Sequence, residues 1–502
     1  MSLFRICLVL IGANLAAVAQ TNSPEVRKLS LEDCLQSALR KNLDLQIARY
    51  VPPLATLDLQ GAYAGYDPTF SINPNNPQHS YSKDPGSFDP TTGTVGVGRT
   101  TTANDVNSSL GGLTPWGTTY GLSGDYNNAY GTIGTSSGPY DQYGASAKIT
   151  VSQKLLKDFW IDKTRLSILV FKNRLKYSEL TLKNQIMQTV TTVENAYYDL
   201  IYDRENVTVQ QKAVELATQL VVENKKRVEV GALAPLDEQQ AEAQAASTEA
   251  TLIAAQSTLA VQEHLVKQLI TDQYSQWSNL SLEPSGSLTA PHQFFSRQDS
   301  WTKGLTERPD LLQAKLDVEK QGITIKFNYN QLFPELDLVG SYGQNASGFN
   351  TAGSAFDNAR DGTYPAYSYG ATLSFPIGNT GARATYKSSK LTKEQLLLTL
   401  KKLEQTIMVQ IDNDIKQAES SFKQVAATRT AREYAAAALD AEQKKLESGK
   451  STTYTVLQMQ RDLTTARGNE ILALDNYNKA LSQLSLDEAS TLQRLNINLE
   501  VK

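Results

Sequence analysis

The sequence predicts a mainly α-helical chain with a β-barrel part, organised as a duplicated helix-strand-strand-helix-helix repeat whose longest helices fold into antiparallel coiled-coil hairpins. Three observations lead there. From Ala384 to Glu447 no Pro or Gly interrupts the chain, and Leu396, Leu400, Leu403, Ile407, Ile411, Ile415, Ala418, Phe422 and Val425 recur every three or four residues. That spacing draws one apolar seam along a helix about 100 Å long. Ile161 to Val230 repeats the pattern with Leu182, Ile186, Val190, Val193, Tyr197 and Leu200. Each stretch follows a segment in which apolar and polar residues alternate, the period of a two-faced strand.

The chain opens with Arg5, an apolar run from Ile6 to Val18 and a small-residue site at Ala17-Val18-Ala19. This is the pattern of a secretory signal peptide over residues 1–19, with the mature chain beginning at Gln20. Cys7 leaves with it, so Cys34 stands alone and no internal disulfide is expected. No Cys occupies the cleavage site, and no lipid anchor is expected. After the signal there is no run of about 18 apolar residues, which leaves strands as the means of any membrane crossing. Lys and Arg number 48 against 52 Asp and Glu. An exported, mildly acidic chain lacks the basic excess expected of a nucleic-acid binder.

In order, Ser30 opens a short amphipathic helix over Leu31 to Lys41, with Cys34, Leu35 and Ala38 on one face and Asn42 at its end. A second helix is expected from Leu43 to about Gly65, bent at Pro52-Pro53, before Asp67-Pro68 turns the chain into strand at Phe70. A shift of 266 residues puts Pro68 on Pro334, Asp44 on Asp310, Ala48 on Ala314 and Tyr63 on Tyr329. Residues 74–142 are rich in Gly, Ser, Thr, Asn and Tyr, too aromatic for a disordered linker. Tyr143, Ala145, Ala147, Ile149 and Val151 then alternate with polar residues, as do Tyr367, Tyr369, Ala371, Leu373, Phe375 and Ile377. The shift falls from 266 at Pro68 to 226 at Tyr143, so the first strand region is about 40 residues longer and holds an extra hairpin or a long outer loop.

Strands are thus expected over about 69–153 and 335–377, long helices over about 161–230 and 384–447, and return helices over 236–270 and 454–487. Residues 283–300, which begin rich in Pro, Ser and Gly, divide a first repeat at 20–282 from a second at 301–502. The hairpins turn at Val230-Gly231-Ala232-Leu233 and Ser448-Gly449-Lys450-Ser451, where Gly leaves the helical region at low cost.

Catalysis has nothing to rest on. Gly449-Lys450-Ser451 lacks the upstream Gly and strand of a phosphate loop, because Lys444 on a helix occupies that place. His79, His264 and His292 fall in separate elements without metal-ligand spacing. No Gly-x-Ser-x-Gly elbow and no matched Cys and His occur. No enzyme activity, cofactor or metal is expected. Phe159-Trp160, at a strand-to-helix junction, reads either as core packing or as an interfacial aromatic anchor at a membrane surface.

A seam of about 100 Å needs a partner surface, and strands with an apolar outer face need an apolar neighbour. Two or three strands per repeat cannot close a barrel, so several copies must share one. Such an exported chain is physically a conduit joined to a membrane pore. Its residues resemble the outer membrane efflux protein family, the TolC-like channel-tunnels of Gram-negative bacteria. The resemblance spans essentially the whole mature chain. It rests on Leu31-Glu32-Asp33-Cys34-Leu35 through Asn42-Leu43, on Arg308-Pro309-Asp310-Leu311, on Ser152-Gln153-Lys154-Leu155-Leu156 closing a strand, and on the two Gly turns.

The resemblance implies a homotrimer in the bacterial outer membrane, with a shared transmembrane β-barrel of twelve strands, four per protomer, on an α-helical tunnel that crosses the periplasm. It implies the exit duct of a tripartite efflux or type I secretion system, with a periplasmic adaptor (membrane fusion) protein and an inner-membrane RND, ABC or MFS pump docking at the lower end. The tips at Val230, Gly231, Ala232, Leu233, Ser448, Gly449, Lys450 and Ser451 would take the adaptor. Tyr143, Ala145, Ala147, Ile149, Val151, Tyr369, Ala371, Leu373 and Phe375 would face outer-membrane lipid. The best-known members carry acidic residues six and nine places after the second Gly turn, forming a constriction. Here Thr455 and Gln458 stand there, while Asp237 keeps the first in repeat one, and these three are the pore candidates.

Two other readings fit parts of the chain. A periplasmic coiled-coil adaptor would have one hairpin, a small lipoyl-like domain and an inner-membrane anchor, against which the duplication and the cleaved signal argue. A trimeric surface adhesin would have repetitive stalks and a C-terminal strand region closing on an aromatic residue, whereas this sequence reads Asn498-Leu499-Glu500-Val501-Lys502 there.

Overall fold

The computed structural model describes residues 26–73, 80–84, 86, 88–95, 98–133, 139–231, 233–349, 351–362 and 364–497. The signal peptide expected at 1–19, Ala232 of the first turn and the tail from 498 lie outside them. The first repeat runs β1 (Val26–Leu29), α1 (Leu31–Lys41), α2 (Leu43–Ala48), α3 (Val51–Tyr63), β2 (Thr69–Asn73), β3 (Ser80–Asp84), β4 (Phe88–Asp89), β5 (Thr94–Val95), β6 (Arg99–Leu113), β7 (Thr118–Ile133), β8 (Pro139–Lys154), α4 (Lys163–Glu229), α5 (Pro235–Ile270) and α6 (Tyr274–Trp277). There follow β9 (Ser281–Pro284), α7 (Arg297–Glu307), α8 (Pro309–Asn330), β10 (Glu335–Phe349), α9 (Ala352–Arg360), β11 (Pro365–Ser374), α10 (Thr380–Glu447), α11 (Thr453–Asp487) and α12 (Thr491–Arg494).

Local chemistry sets these boundaries. Ser30 and Asp33 form a reciprocal cap: the Ser30 hydroxyl accepts from the Asp33 N–H, and the Asp33 carboxylate accepts from the Ser30 N–H, both at 3.1 Å. Asn42 is buried between α1 and α2, where its Oδ1 accepts from the Leu45 N–H and its Nδ2 donates to the Leu269 carbonyl on α5. The single bent helix expected from Leu43 is two helices. Pro52 and Pro53 supply no backbone donor and fit only the opening turn of α3.

Apart from β1 with β9 and β4 with β5, which make separate two-stranded pairs, seven of these strands form one sheet in the order β11-β10-β8-β7-β6-β2, with β3 also paired to β6. Every ladder in it is antiparallel. β2 pairs with Asn107 to Gly111 and β3 with Arg99 to Ala103, so these two are halves of one strand line along the same edge of β6. Among the described residues six strand positions therefore come from one chain, and not the four that the resemblance implied. The extra length of the first region is the hairpin β6–β7, inserted within the sheet. The register lines up Phe70, Leu110, Leu122, Ile149, Tyr342 and Tyr367 in a single row across all six positions. The next row, on the opposite face, is Ser71, Ser109, Ser123, Lys148, Gly343 and Ala366. A sheet that is apolar on one face and polar on the other follows from period two alone.

Below the sheet, α4 and α10, of 67 and 68 residues, extend for about 100 Å each. They pair with the half-length helices α5 and α11, while β1 pairs in parallel with β9. The main apolar core lies midway, where Leu29, Cys34, Leu35 and Leu45 meet Met187, Val190, Val193 and Leu200 of α4 and Ile270 of α5. Burial pushes the Cys34 thiol up to about 12, so it packs as a small apolar group. The segment after β9 lies along the helices: the Tyr477 hydroxyl donates to the Pro291 carbonyl at 2.6 Å and Asn478 Nδ2 to that of Thr289 at 3.1 Å. Glu194 of α4 is fully buried. Arg494 Nη2 donates to both its carboxylate oxygens, at 2.6 and 2.8 Å, and the Ser482 hydroxyl donates at 3.2 Å.

The Arg308-Pro309-Asp310-Leu311 motif is a staple. Arg308 holds Asp310 with its Nε and Asp487, the last residue of α11, with its Nη1, each at 3.0 Å. Leu311 is buried among Ile407, Ile411, Ile415 and Leu484. Asp414 of α10 faces Asp487, and burial together with the hydrogen bond to that second carboxyl raises its pKa to about 8. Because the folded chain holds this proton more tightly, the stabilisation it brings is full below about pH 4 and is lost as pH rises toward 8. Asp414→Asn is expected to flatten the fall in thermal stability between pH 5 and pH 9 and to raise the melting temperature at pH 9. Denaturation of the purified protein across that range measures it; an unchanged pH profile would remove Asp414 as the titrating group.

Candidate functional site

Three places on the rods and sheet concern passage: the hairpin tips, the return helices just after them, and the two-faced sheet. At the tips, Gly231 and Gly449 have φ of +74° and +69°, a backbone conformation that costs other L-residues about 1–2 kcal/mol. The Lys450 N–H bonds the Lys445 carbonyl at 2.8 Å and the Gly449 N–H that of Leu446 at 3.1 Å, the paired bonds of a Schellman ending. At the first tip the Gly231 N–H reaches the Val228 carbonyl at 2.9 Å. Val230, Ser448 and Lys450 are exposed, and Leu233 and Ser451 are half-buried. The Ser451 hydroxyl and Lys445 bind Glu442 and hold its carboxyl below the usual range. Behind the tips, Leu220 of α4 packs with Leu439 and Leu446 of α10 and with Val456, Leu457 and Leu463 of α11, joining the two hairpins.

The return helices begin immediately. Pro235 occupies the first turn of α5, with Asp237 and Glu238 beside the positive end of the helix dipole, and the Thr452 hydroxyl caps α11 by accepting from the Thr455 N–H at 3.3 Å. Asp237 and Thr455 are half-buried and Gln458 is exposed. The Asp237 carbonyl accepts from Asn224, and Thr455 bonds Thr452; among the described residues no hydrogen bond joins the three pore candidates to one another. The two return helices meet a few residues farther along, where Arg461 Nε donates to Gln244 Oε1 at 2.6 Å. Gln244 lies two turns beyond Asp237 and Arg461 one turn beyond Gln458, so each shares a face with a candidate. A polar cavity of about 590 Å³ opens beside them, lined by Gln210, Thr248, Thr464 and Asn469. Sequence reasoning missed Gln244 and Arg461. No local signal singles them out: Gln244 shares its Ala-rich run from Ala241 to Ala246 with a second polar residue, Glu242.

On the sheet, Ala147, Ile149 and Val151 are exposed, while Tyr143 and Ala145 are covered by α9. There Ala355 is fully buried against Ala145 and Ala346, and Phe356 stacks on Tyr126 with centroids 5.3 Å apart. Tyr369, Ala371 and Leu373 of β11 are exposed; Phe375 is exposed too, one residue beyond the strand. Trp160 is 80% exposed at the junction with α4, edge-on to Phe159 at 4.9 Å. Trp116, in the β6–β7 turn, is 68% exposed at the same end of the sheet. Arg165 ties the two places together, donating from Nε to the Pro115 carbonyl and from Nη1 to that of Phe159.

His264 bonds the Tyr274 hydroxyl at 3.0 Å, and His292 sits edge-on to Phe294 and Phe422. His79 lies outside the described residues. Among the described residues no group of His, Cys, Asp and Glu could hold a metal ion, and no helix is long and apolar enough to cross a membrane.

The chain is similar to the outer membrane efflux protein BepC of Brucella suis biovar 1 (strain 1330), at 25% identity over 348 residues covering 69% of this chain and 72% of that protein. Its fold is similar to that of the outer-membrane channel OprN, with a TM-score of 0.67 at 15% identity over 92% of this chain and 90% of the other. The Campylobacter jejuni CmeC outer membrane channel gives a TM-score of 0.65, also at 15% identity, over 94% and 90%. The family model of outer membrane efflux proteins matches residues 96–270 and again residues 302–486. A tandem match on both rod-and-strand units, together with a sheet that is apolar on one face and polar on the other, places this chain in the outer membrane efflux protein family, as an outer-membrane channel.

Proposed function

We propose that the chain works as a homotrimer forming the exit duct of a tripartite efflux or type I secretion system. A periplasmic adaptor seats on the tips at Val230 to Leu233 and Ser448 to Ser451, with an inner-membrane RND, ABC or MFS pump behind it. The observation that carries this reading is the join, in one chain, of a two-faced antiparallel sheet to rods of about 100 Å that end in exposed turns. Facing hydrocarbon with the Ile149 row and water with the Lys148 row satisfies both sides of the sheet, and the rods then carry the bore across the periplasm. The duct is passive: its residues shape and line a path, and they react with nothing.

The sheet assignment is tested by charge. Ile149→Arg is expected to lower assembly, at about 2 to 4 kcal/mol near the membrane midplane, whereas Lys148→Glu is tolerated. Heat-stable oligomer on gels reads the difference, and equal loss from both faces would count against it.

Docking is tested at the turns. No atom outside the adjoining backbone lies within 4 Å of a Cβ placed on Gly231 or Gly449, so a side chain there projects into open space. Gly231→Arg and Gly449→Arg should each reduce pump-dependent export while oligomer level and outer-membrane location stay normal. Export at the wild-type rate from both variants would put docking elsewhere.

The constriction is tested by selectivity. Thr455 and Gln458 leave the bore with less negative charge than an acid-ringed relative, and Arg461 one turn on adds a positive one. Thr455→Asp with Gln458→Asp is expected to raise cation selectivity and to create block by multivalent cations in planar-bilayer recordings. Normal insertion with unchanged selectivity would show that these positions do not face the pore.

A further inference from the structure

We infer that the barrel is closed by six strands from each copy, with β11 of one protomer pairing with the β2–β3 line of the next, giving eighteen strands in a trimer. The count rests on the trimeric reading above; the seam does not. Both edges of the sheet are open among the described residues, and every residue of β2 and β11 is exposed. An open edge in hydrocarbon leaves its N–H and C=O groups without partners, so each edge requires a strand.

Three observations select a second copy of this chain. The strand positions are even in number and antiparallel throughout, so β2 runs away from the helices and β11 toward them, and joining one copy's β11 to the next copy's β2 continues the antiparallel order. The apolar row is unbroken from edge to edge, beginning at Phe70, 66% exposed, and ending at Tyr367, 74% exposed. The additional hairpin also shares that face: Val106, Leu110, Tyr120, Leu122 and Tyr126 stand in register with Ala145, Ile149 and Val151. Folded into the lumen as a plug, β6–β7 would put those side chains in water; within the wall Leu110 and Leu122 meet lipid, and Tyr126 packs under Phe356 of α9. At equal strand tilt, eighteen strands make a ring about half as wide again as twelve. The outer-membrane stage is then the broad end of the duct, and the tips alone set the limiting bore.

Cysteine pairs test the seam in a Cys34→Ala background. Ser71→Cys on β2 is combined in turn with Ser368→Cys, Gly370→Cys and Thr372→Cys on β11, all polar-face positions. A second set replaces Ser71→Cys with Ser123→Cys on β7, which would meet β11 if only β7, β8, β10 and β11 closed the ring. Oxidation in outer membranes is expected to give covalent dimers and trimers on non-reducing gels for at least one Ser71 pair and for none of the Ser123 pairs. Cross-linking from Ser123 alone would overturn the inference in favour of a four-strand seam. A trimeric mass with no cross-link from either set would overturn it while leaving the trimer standing. A monomeric native mass would overturn both.

Discussion

A backbone amide or carbonyl in hydrocarbon must find its partner within protein, and no helix among the described residues can meet that demand by crossing the membrane alone. The whole molecule is arranged around the consequence. One chain supplies a sheet that satisfies its interior ladders and leaves two edges open, so it cannot be finished in isolation. The rods below it add nothing to that closure, but they hold the sheet at a fixed place on the bundle. Asn330 is the local device: its side chain accepts from the Asp158 N–H at 2.6 Å and donates to the Leu156 carbonyl at 3.2 Å, binding the end of β8 to the end of α8. Strand and helix from different repeats are thereby registered before any second copy arrives.

Much of this was legible in the residues because its periods are simple. A seam such as Ile407, Ile411, Ile415 and Ala418 marks a helix with a partner wherever it occurs, and those four are among the most buried side chains of α10. Alternation from Tyr143 to Val151 likewise gave β8. The hairpin β6–β7 was harder to count. Asn104, Ser108 and Gly112 occupy apolar-face positions on β6, and Gly124 and Asn128 do so on β7, so the alternation is broken along each strand. Across the ladder only Gly112 is compensated, by Tyr120, whereas Ser108 faces Gly124 and Asn104 faces Asn128. The Arg461–Gln244 contact was out of reach for a related reason. Its partners are 217 residues apart, and no local period encodes a single polar pair between two helices.

Packing is uneven along the rods. Midway, side chains from α1, α2, α4, α5 and the strap after β9 share one continuous core, and Arg308 and Leu311 staple the second repeat beside it. At the tips the two hairpins are joined by a small cluster around Leu220, Leu446 and Val456, bordered by exposed backbone. Fewer buried contacts mean a lower free energy of local opening. The collar is thereby the stiffer part of the rods and the tips the part that opens more readily.

The ion pair between Glu194 and Arg494 joins residues 300 apart, and Glu194 has no exposure to water. Arg494 is itself partly exposed, and burial of Glu194 already raises the pKa of its carboxyl, so losing the guanidinium removes the group that offsets this desolvation. A chain without α12 therefore keeps that carboxyl in the middle of its collar without its cation. The contact that satisfies this carboxylate of the collar is thus made by a helix far along the chain from it, so α4 and α12 are bound into one unit.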